Sequence, residues 1–488
     1  MHLDKLLVNN AEKIKVAAIG FALLFAITAC KGKAANPALN FAPVPDGAPQ
    51  NSYADLVAKV APAVVTIRAD RTVRTQNPFP FDPFGLFGDR GQQPRETLQR
   101  ALGSGVIVSA DGYILTNHHV IDGAKDIHVD LNDGRTLDAK LIGSDPPSDL
   151  ALLKVNASSL PTLTPGDSDK VRVGDVALAI GNPFGVGQTV TMGIISAKGR
   201  SGPGLGSGNF EDFLQTDAPI NQGNSGGALV NTVGELIGIN SQILPGQGGG
   251  NIGIGFAIPS NMAKTVMDQL VKNGKVRRGQ LGITVSRVTS DIAAGLGMPE
   301  AKGVIVNSVK SGSAAERAGV RQGDVITAIN DTTINDTNAF RNKVASNAPG
   351  TEVTLTILRD NREQKIRATL GEFNPETAPG ENENGNTPEG SNGGGKLGVS
   401  VEPLTPDLAQ ELGLRPGTQG VVIDSVDPAG PAVAAGLQRG DVIQEVNRQP
   451  IKSVDDLRSA IDKNGAKPAL LLINRRGDTI YLAVRPRQ

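Results

Sequence analysis

Hydrolytic chemistry needs a nucleophile, a base and a way to hold them, and this chain offers few candidates for each. Gly223-Asn224-Ser225-Gly226-Gly227 fits the pattern Gly-x-Ser-x-Gly. Small neighbours let the backbone turn sharply, expose a serine hydroxyl and leave N–H groups aimed at a reacting carbonyl. In a chain with 60 Gly the pattern is also compatible with an ordinary turn. A serine needs a base to attack at neutral pH, and the chain has 4 His. His2 lies in the N-terminal segment, and His128 alternates with Ile127 and Val129 as on the polar face of a strand. That leaves His118 and His119 at the end of the strand-like run Tyr113-Ile114-Leu115-Thr116. Adjacent residues on a strand face opposite ways, so one of the pair is available as a general base and a two-His metal site is disfavoured. Asp149 stands directly before the apolar run Leu150-Ala151-Leu152-Leu153, where it reads either as an orienting carboxylate or as a turn residue. The order His119, Asp149, Ser225 is that of the chymotrypsin arrangement, not the Ser…Asp…His order of α/β-hydrolases.

Those residues need a frame of short strands. From 101 to about 258, apolar runs alternate with Gly and Asp-Gly turns, which predicts an all-β barrel or sandwich. Ala63 to Ile67 reads as a strand after a short helix broken by Pro62. Residues 260–273 take a helical period, with Ser260 as N-cap and Gly274 as stop. The C-terminal half repeats itself. Ala318-Gly319-Val320 matches Ala435-Gly436-Leu437, and Gly323-Asp324-Val325-Ile326 matches Gly440-Asp441-Val442-Ile443, both at an offset of 117. Two copies of one module follow in tandem. Residues 374–395, rich in Asn, Gly, Glu and Pro, have no apolar cluster and read as a disordered linker. As a coil it would span about 25 Å and leave the second module free to move against the first.

Composition narrows the function. The 48 Lys+Arg nearly balance 49 Asp+Glu, so the basic footprint of a nucleic-acid binder is missing. One Cys excludes an internal disulfide and a multi-Cys zinc site, and no cofactor or metal is expected. Residues 16–29 are uncharged and apolar, follow Lys5, Lys13 and Lys15, and are short for a bilayer span, which is the pattern of an export signal. Ile27-Thr28-Ala29-Cys30 resembles the bacterial lipobox, whose Cys is lipidated after cleavage. This reading gives a lipoprotein-type signal at 1–29, a flexible tether at 30–51, and attachment to a membrane of the bacterial envelope through Cys30.

The segments Thr116 to Val120, Ser148 to Leu152 and Gly223 to Leu229 together resemble the HtrA/Deg family of serine proteases. So do Gly181-Asn182-Pro183-Phe184-Gly185 and Asn251 to Pro259. The resemblance runs over about residues 50–488 and is nearest to the periplasmic Do-like (DegP/DegQ-type) branch, whose two C-terminal repeats are PDZ domains. It implies a mainly β fold: a double β-barrel, chymotrypsin-like protease domain at 52–275 and PDZ domains at 276–373 and 396–488. It implies a serine endopeptidase that degrades unfolded envelope proteins in the periplasm, with His119 as base, Asp149 as its orienting group and Ser225 as nucleophile. It places the oxyanion hole at the Gly223 and Ser225 amides, with Asn224 between them. It draws a shallow specificity pocket from Ile220, Asn240, Ser241 and Gln242, suited to small or branched apolar residues.

PDZ domains capture a peptide C-terminus by strand addition, its carboxylate on a loop rich in N–H groups. Arg278-Gly279-Gln280-Leu281-Gly282-Ile283 resembles that loop, with Arg278 to supply charge, and Leu397-Gly398-Val399 is the second copy's equivalent. The resemblance makes Arg200, in the Gly-rich segment 199–212, a sensor of PDZ state. It also implies a homotrimer or larger assembly, with Tyr53, Phe79, Phe81, Phe84 and Phe87 as contacts. The rival reading is a PDZ-bearing chaperone or scaffold whose protease fold only holds clients.

Overall fold

The computed structural model describes residues 52–75, 95–182, 187–201, 210–221, 223–245, 250–374 and 395–487. The expected signal at 1–29, Cys30, the expected tether, Phe79, Phe81, Phe84, Phe87 and most of the segment 374–395 lie outside them. Among the described residues no helix is long and apolar enough to cross a membrane.

Two closed barrels come first. In the first, β1 (Val64–Thr75), β2 (Arg95–Ile107), β3 (Tyr113–Thr116), β4 (Ala124–Asp130), β5 (Thr136–Asp145) and β6 (Leu150–Val155) close in the order β1-β2-β3-β6-β5-β4. In the second, β7 (Val176–Gly181), β8 (Thr189–Arg200), β9 (Phe213–Thr216), β10 (Ala228–Asn231), β11 (Leu236–Pro245) and β12 (Asn251–Pro259) close as β10-β11-β12-β9-β8-β7. The sequence of β6 explains its place. Its Leu150 to Leu153 stretch is apolar on both faces, and all four residues are fully buried. One face fills the first barrel with Ile67, Ile107, Ile114 and Val129. Leu150 and Leu152 on the other face join Val106, Leu115, Leu178, Ile180, Ala228 and Ile239 in a cluster between the barrels. That seam carries the candidate site.

Helix α1 (Ala54–Val60) packs Val60 into the same cluster, with Tyr53 partly buried against it. After β3 the chain does not continue as a strand: His118–Ile121 form one helical turn, α2. The two histidines are thus splayed around a helix and not on opposite faces of a strand. Helix α3 (Ser260–Asn273) closes the domain and ends at Gly274 in the left-handed conformation, φ 69°. Ser260 does not cap it. Its hydroxyl donates outward to the Gly166 carbonyl at 2.7 Å, and Pro259 holds the cap position.

The first repeat module contains β13 (Gly279–Gln280), β14 (Ile283–Arg287), helix α4 (Ser290–Leu296), β15 (Val304–Val309), helix α5 (Ala314–Ala318), β16 (Val325–Ile329) and β17 (Thr332–Thr333). Helix α6 (Thr337–Ala345), β18 (Glu352–Arg359), β19 (Arg362–Thr369) and β20 (Gly371–Glu372) complete it. The second contains β21 (Val399–Pro403), helix α7 (Pro406–Glu411), β22 (Val421–Val426), helix α8 (Pro431–Ala434) and β23 (Val442–Val446). β24 (Gln449–Pro450), helix α9 (Val454–Asn464), β25 (Ala469–Arg475) and β26 (Asp478–Val484) follow. The sheets match: β14-β15-β16-β18-β19 and β21-β22-β23-β25-β26, each with its first strand at an open edge. The repeated Gly-Asp-Val-Ile has a structural cause. Asp324, 1% exposed, takes a bidentate pair from Arg359 Nε and Nη2 at 2.7 and 2.6 Å. Asp441 takes the same pair from Arg475, both at 2.7 Å.

The second module does not swing free of the first. Leu470, Leu472 and Tyr481 share a buried cluster with Val288, Ile292, Ala293, Ile305 and Val325 of the first module. Thr479 Oγ1 donates to the Asn307 carbonyl at 2.8 Å, and Arg448 and Arg485 pair with Asp360 and Asp291. The linker's composition says nothing of this, because the contact is made by strand faces on either side of it. Burial pushes the Tyr481 phenol up to about 12, with the Glu445 carboxylate adding to the rise.

Candidate active site

Ser225 lies in the turn before β10, and the turn is held to the first barrel through Ser104. The Ser104 amide donates to the Ser225 carbonyl at 2.8 Å, and its hydroxyl donates to the Gly223 carbonyl at 2.7 Å. Ser104 Oγ in turn accepts the Asn182 amide, and the Ser104 carbonyl accepts Thr116 Oγ1. The glycines of the motif are steric requirements. Gly226 has φ 83°, and a Cβ there would lie 2.1 Å from the Ser104 carbonyl oxygen. One on Gly227 would lie 2.2 Å from the Ile180 carbonyl oxygen, and one on Gly181 would lie 2.4 Å from Asn224 Oδ1. Among the described residues neither the Gly223 nor the Ser225 amide donates a hydrogen bond. Two backbone N–H groups flanking one peptide are left to face a ligand oxygen, the composition of an oxyanion hole.

His119 comes from α2, and its ring is oriented by Asp149. Nδ1 lies 2.8 and 2.9 Å from the two carboxylate oxygens, and the His119 amide donates to Oδ1 at 3.0 Å. With Nδ1 facing a carboxylate, the ring proton belongs on Nδ1 and the Nε2 lone pair is free to accept. Asp149 adopts the left-handed conformation, φ 54° and ψ 39°, after the short turn Pro146–Ser148. That conformation is one that Asp, with Gly and Asn, adopts more readily than other residues. Ser241 Oγ donates to Asp149 Oδ2 at 2.9 Å, and the Asp149 carbonyl accepts the His118 amide at 3.1 Å. No hydrogen bond joins Ser225 Oγ to His119 among the described residues. Such bonds are commonly loose without substrate and tighten in the complex.

Other expected site residues have different employment. Asn240 is buried, and its side-chain amide donates to the Ala228 and Ile180 carbonyls at 3.1 and 3.3 Å. Its backbone ties to Gly226 and Gly227, so it braces the Ser225 turn. Ser241 serves Asp149, and Ile220 belongs to the second barrel's core. Gln242 remains a candidate lining residue, half-buried with Nε2 unpartnered. Arg200 is exposed at the end of β8, with Nε donating to Gln215 Oε1 at 2.9 Å. Arg278 is not available to a peptide carboxylate. Its guanidinium forms a bidentate pair with Asp145, one oxygen at 2.7 Å, with side-chain exposures of 10% and 5%.

This pair reaches the site. Asp145 also accepts Ser148 Oγ, next to Asp149, so Arg278 braces the turn that carries the Asp149 carboxylate. The guanidinium lies 4.6 Å over the Phe210 ring, and Phe373 meets Phe210 edge-on at 5.1 Å. Asn342 of α6 donates to the Glu211 carbonyl at 2.7 Å. Beside it, burial pushes the Asp212 carboxyl up, and Asp169 and Asp336 add to the rise. Nothing in the pattern around Asp145 marks it for this pairing.

Fold and site together define a trypsin-like serine peptidase followed by two copies of one β module, and known proteins agree. Residues 103–239 match the trypsin-like peptidase domain, and residues 279–370 and 395–484 each match the PDZ domain. The chain is 44% identical over 451 residues to the periplasmic pH-dependent serine endoprotease DegQ of Escherichia coli K12, covering 91% of this chain and 93% of that one. It is 43% identical over 401 residues to a probable periplasmic serine endoprotease DegP-like of Chlamydia trachomatis, covering 82% and 78%. A solved structure of the HtrA-type protease AlgW with a decapeptide is 46% identical with a TM-score of 0.53, covering 66% of this chain and 99% of that one. The chain belongs to the HtrA family of DegP/DegQ-like serine endoproteases, and it is a serine endopeptidase.

Proposed function

We propose that the chain degrades unfolded proteins of the bacterial envelope in the periplasm, using His119, Asp149 and Ser225, and that its PDZ domains bind exposed peptides that regulate cleavage. The observation that carries the catalytic part is the Asp149 carboxylate, held by Ser241 and the His119 amide and facing His119 Nδ1. The Asp fixes the imidazole with Nε2 free. His119 then takes the Ser225 proton as Oγ attacks the scissile carbonyl and returns it to the leaving amine. The imidazolium is stabilised by Asp149 while the developing oxyanion meets the Gly223 and Ser225 amides. One such donor is typically worth about 10²–10³ in rate. A second attack, by water, releases the acyl group with the same residues in the same roles.

The Arg278–Asp145 pair supports regulation from the first PDZ domain, since it joins the start of that domain to the turn before Asp149. Cleavage of casein by the wild type and by Ser225→Ala tests the reading. Activity in the wild type that vanishes in the variant is expected. Equal suppression of client aggregation by both, with no cleavage in either, would replace it with the scaffold.

A further inference from the structure

Asp149 holds the amide and the ring of His119, but the His119 carbonyl is held by a residue outside the catalytic set. Arg71 Nη2 donates to that carbonyl at 3.0 Å and reaches the Val120 carbonyl at 3.4 Å. Turn α2 needs such a donor. The last carbonyls of a helical turn have no partner within it, and Asp122 ends this one in an extended conformation, φ −60° and ψ 128°. Among the described residues no backbone amide donates to either carbonyl. A basic side chain is a suitable cap for carbonyls left open in this way.

The place of Arg71 follows from β1. Successive side chains on a strand point to opposite faces. Arg68 and Asp70 turn outward and pair with Asp130 and Arg100 at 2.7 and 2.9 Å. Ile67 and Ala69 turn inward and are fully buried. Arg71 is the next residue on the inward face. There the pairing with β4 shifts register, from Asp70 opposite Asp126 to Arg71 opposite Ala124. Such bulges re-aim a side chain at the rim of a barrel. Val120 and Ile121 of α2, each 4% exposed, enter the same core as Ile67. An apolar residue at position 71 would extend that core. A guanidinium there has to find acceptors, and it finds the carbonyls of α2. Its Nε is buried without a hydrogen bond, and among the described residues it meets no carboxylate. Burying a cation without a counter-charge is costly, which sets Arg71 apart from the ion-paired charges beside it.

We infer that Arg71 is a positioning residue of the protease. It fixes the peptide that follows His119, and through it the direction in which the imidazole Nε2 is offered to Ser225. The inference rests on the proposed role of His119 as base. With Asp149 on the amide and Arg71 on the carbonyl, His119 is clamped at both of its backbone groups. Without Arg71, α2 keeps only the Asp149 side of that clamp, and a small misplacement of a reacting group lowers rate steeply.

The test compares full-length variants by steady-state cleavage of a fluorogenic peptide and by the rate at which a fluorophosphonate labels Ser225. Both are measured below the onset of melting of every variant, so that lost activity is not lost folding. Arg71→Met keeps the apolar stem and removes the donors. It should lower kcat and the labelling rate by roughly tenfold, the scale of one hydrogen bond from a charged donor, and leave KM nearly unchanged. Arg71→Lys returns one charged donor and should recover much of the loss, with Arg71→Gln between the two. An unchanged kcat, a change confined to KM, or a Lys variant no faster than the Met variant would each overturn the assignment. His119→Ala separates the two levels. Cleavage that survives it removes the catalytic reading, whereas its loss beside an unimpaired Arg71→Met removes this inference alone.

Discussion

Asp149 is the most fully held side chain of the site, and Ser241 is the part of its surroundings that the sequence does not announce. The Ser225 motif is legible because glycine spacing reports backbone sterics directly: Gly226 and Gly227 are adjacent to carbonyls that exclude any Cβ. Ser241 reads as a pocket residue, yet its hydroxyl serves Asp149, because a serine on a strand has no local mark of which group its side chain meets. Its hydroxyl donates one of the hydrogen bonds to the Asp149 carboxylate. Ser241→Ala should lower kcat for a peptide substrate by about 3–10-fold, the rate equivalent of a roughly 1 kcal/mol hydrogen bond. KM should change little, because the hydroxyl touches the orienting acid and not the substrate. Steady-state kinetics decide it, and a change confined to KM would return Ser241 to the pocket.

At the scale of elements, the repeat is the most readable feature, since Gly-Asp-Val-Ile recurs at a fixed offset and each Asp has the same buried task. Asp324 satisfies Arg359 and the Arg321 amide together. Removing it strands a mostly buried guanidinium, a loss that commonly costs about 3–5 kcal/mol. Asp324→Ala should therefore lower the urea midpoint of the first PDZ domain by that equivalent. Denaturation monitored in the full chain checks it, and an unchanged midpoint would mean that the pair adds nothing. The helical turn at His118 to Ile121 is less legible. Four residues are too few to show a period, and the Val-Ile that ends the turn reads as strand as readily as helix. Ser260 fails as a cap for a related reason: its hydroxyl finds a better acceptor in Gly166, far away in sequence.

At the scale of the whole molecule, the sequence does not show how the parts press on each other. The docking of the second PDZ domain through Leu470, Leu472 and Tyr481 depends on strand faces, and the unbroken apolar run Ala469 to Ile473 marks both faces for burial without naming a partner. The seam between the protease and the first PDZ domain holds a pH-sensitive cost. Burial, with repulsion from Asp169 and Asp336, raises the Asp212 carboxyl above its ordinary value, and Lys198 opposes the rise only partly. A raised acid favours the native state while it is protonated, and that advantage is lost as pH rises through its native pKa. Asp212→Asn should thus raise the melting temperature at pH 7. The gain should shrink on acidification and disappear below about pH 4, where the carboxyl is neutral both folded and unfolded. Melting curves from acidic to neutral pH test this, and a gain independent of pH would refute the electrostatic cause.

The Arg278–Asp145 pair also sets an order of events in time. A chain emerging N-terminus first presents His119, Asp149 and Ser225 well before Arg278, which is 133 residues beyond its partner. Until then Asp145 lacks its counter-charge, and the turn next to Asp149 lacks its outer brace. The turn beside Asp149 is consequently braced from outside the barrels, by the first residues of the module that follows. A newborn chain of this design sets that brace only after synthesis of the next module has begun.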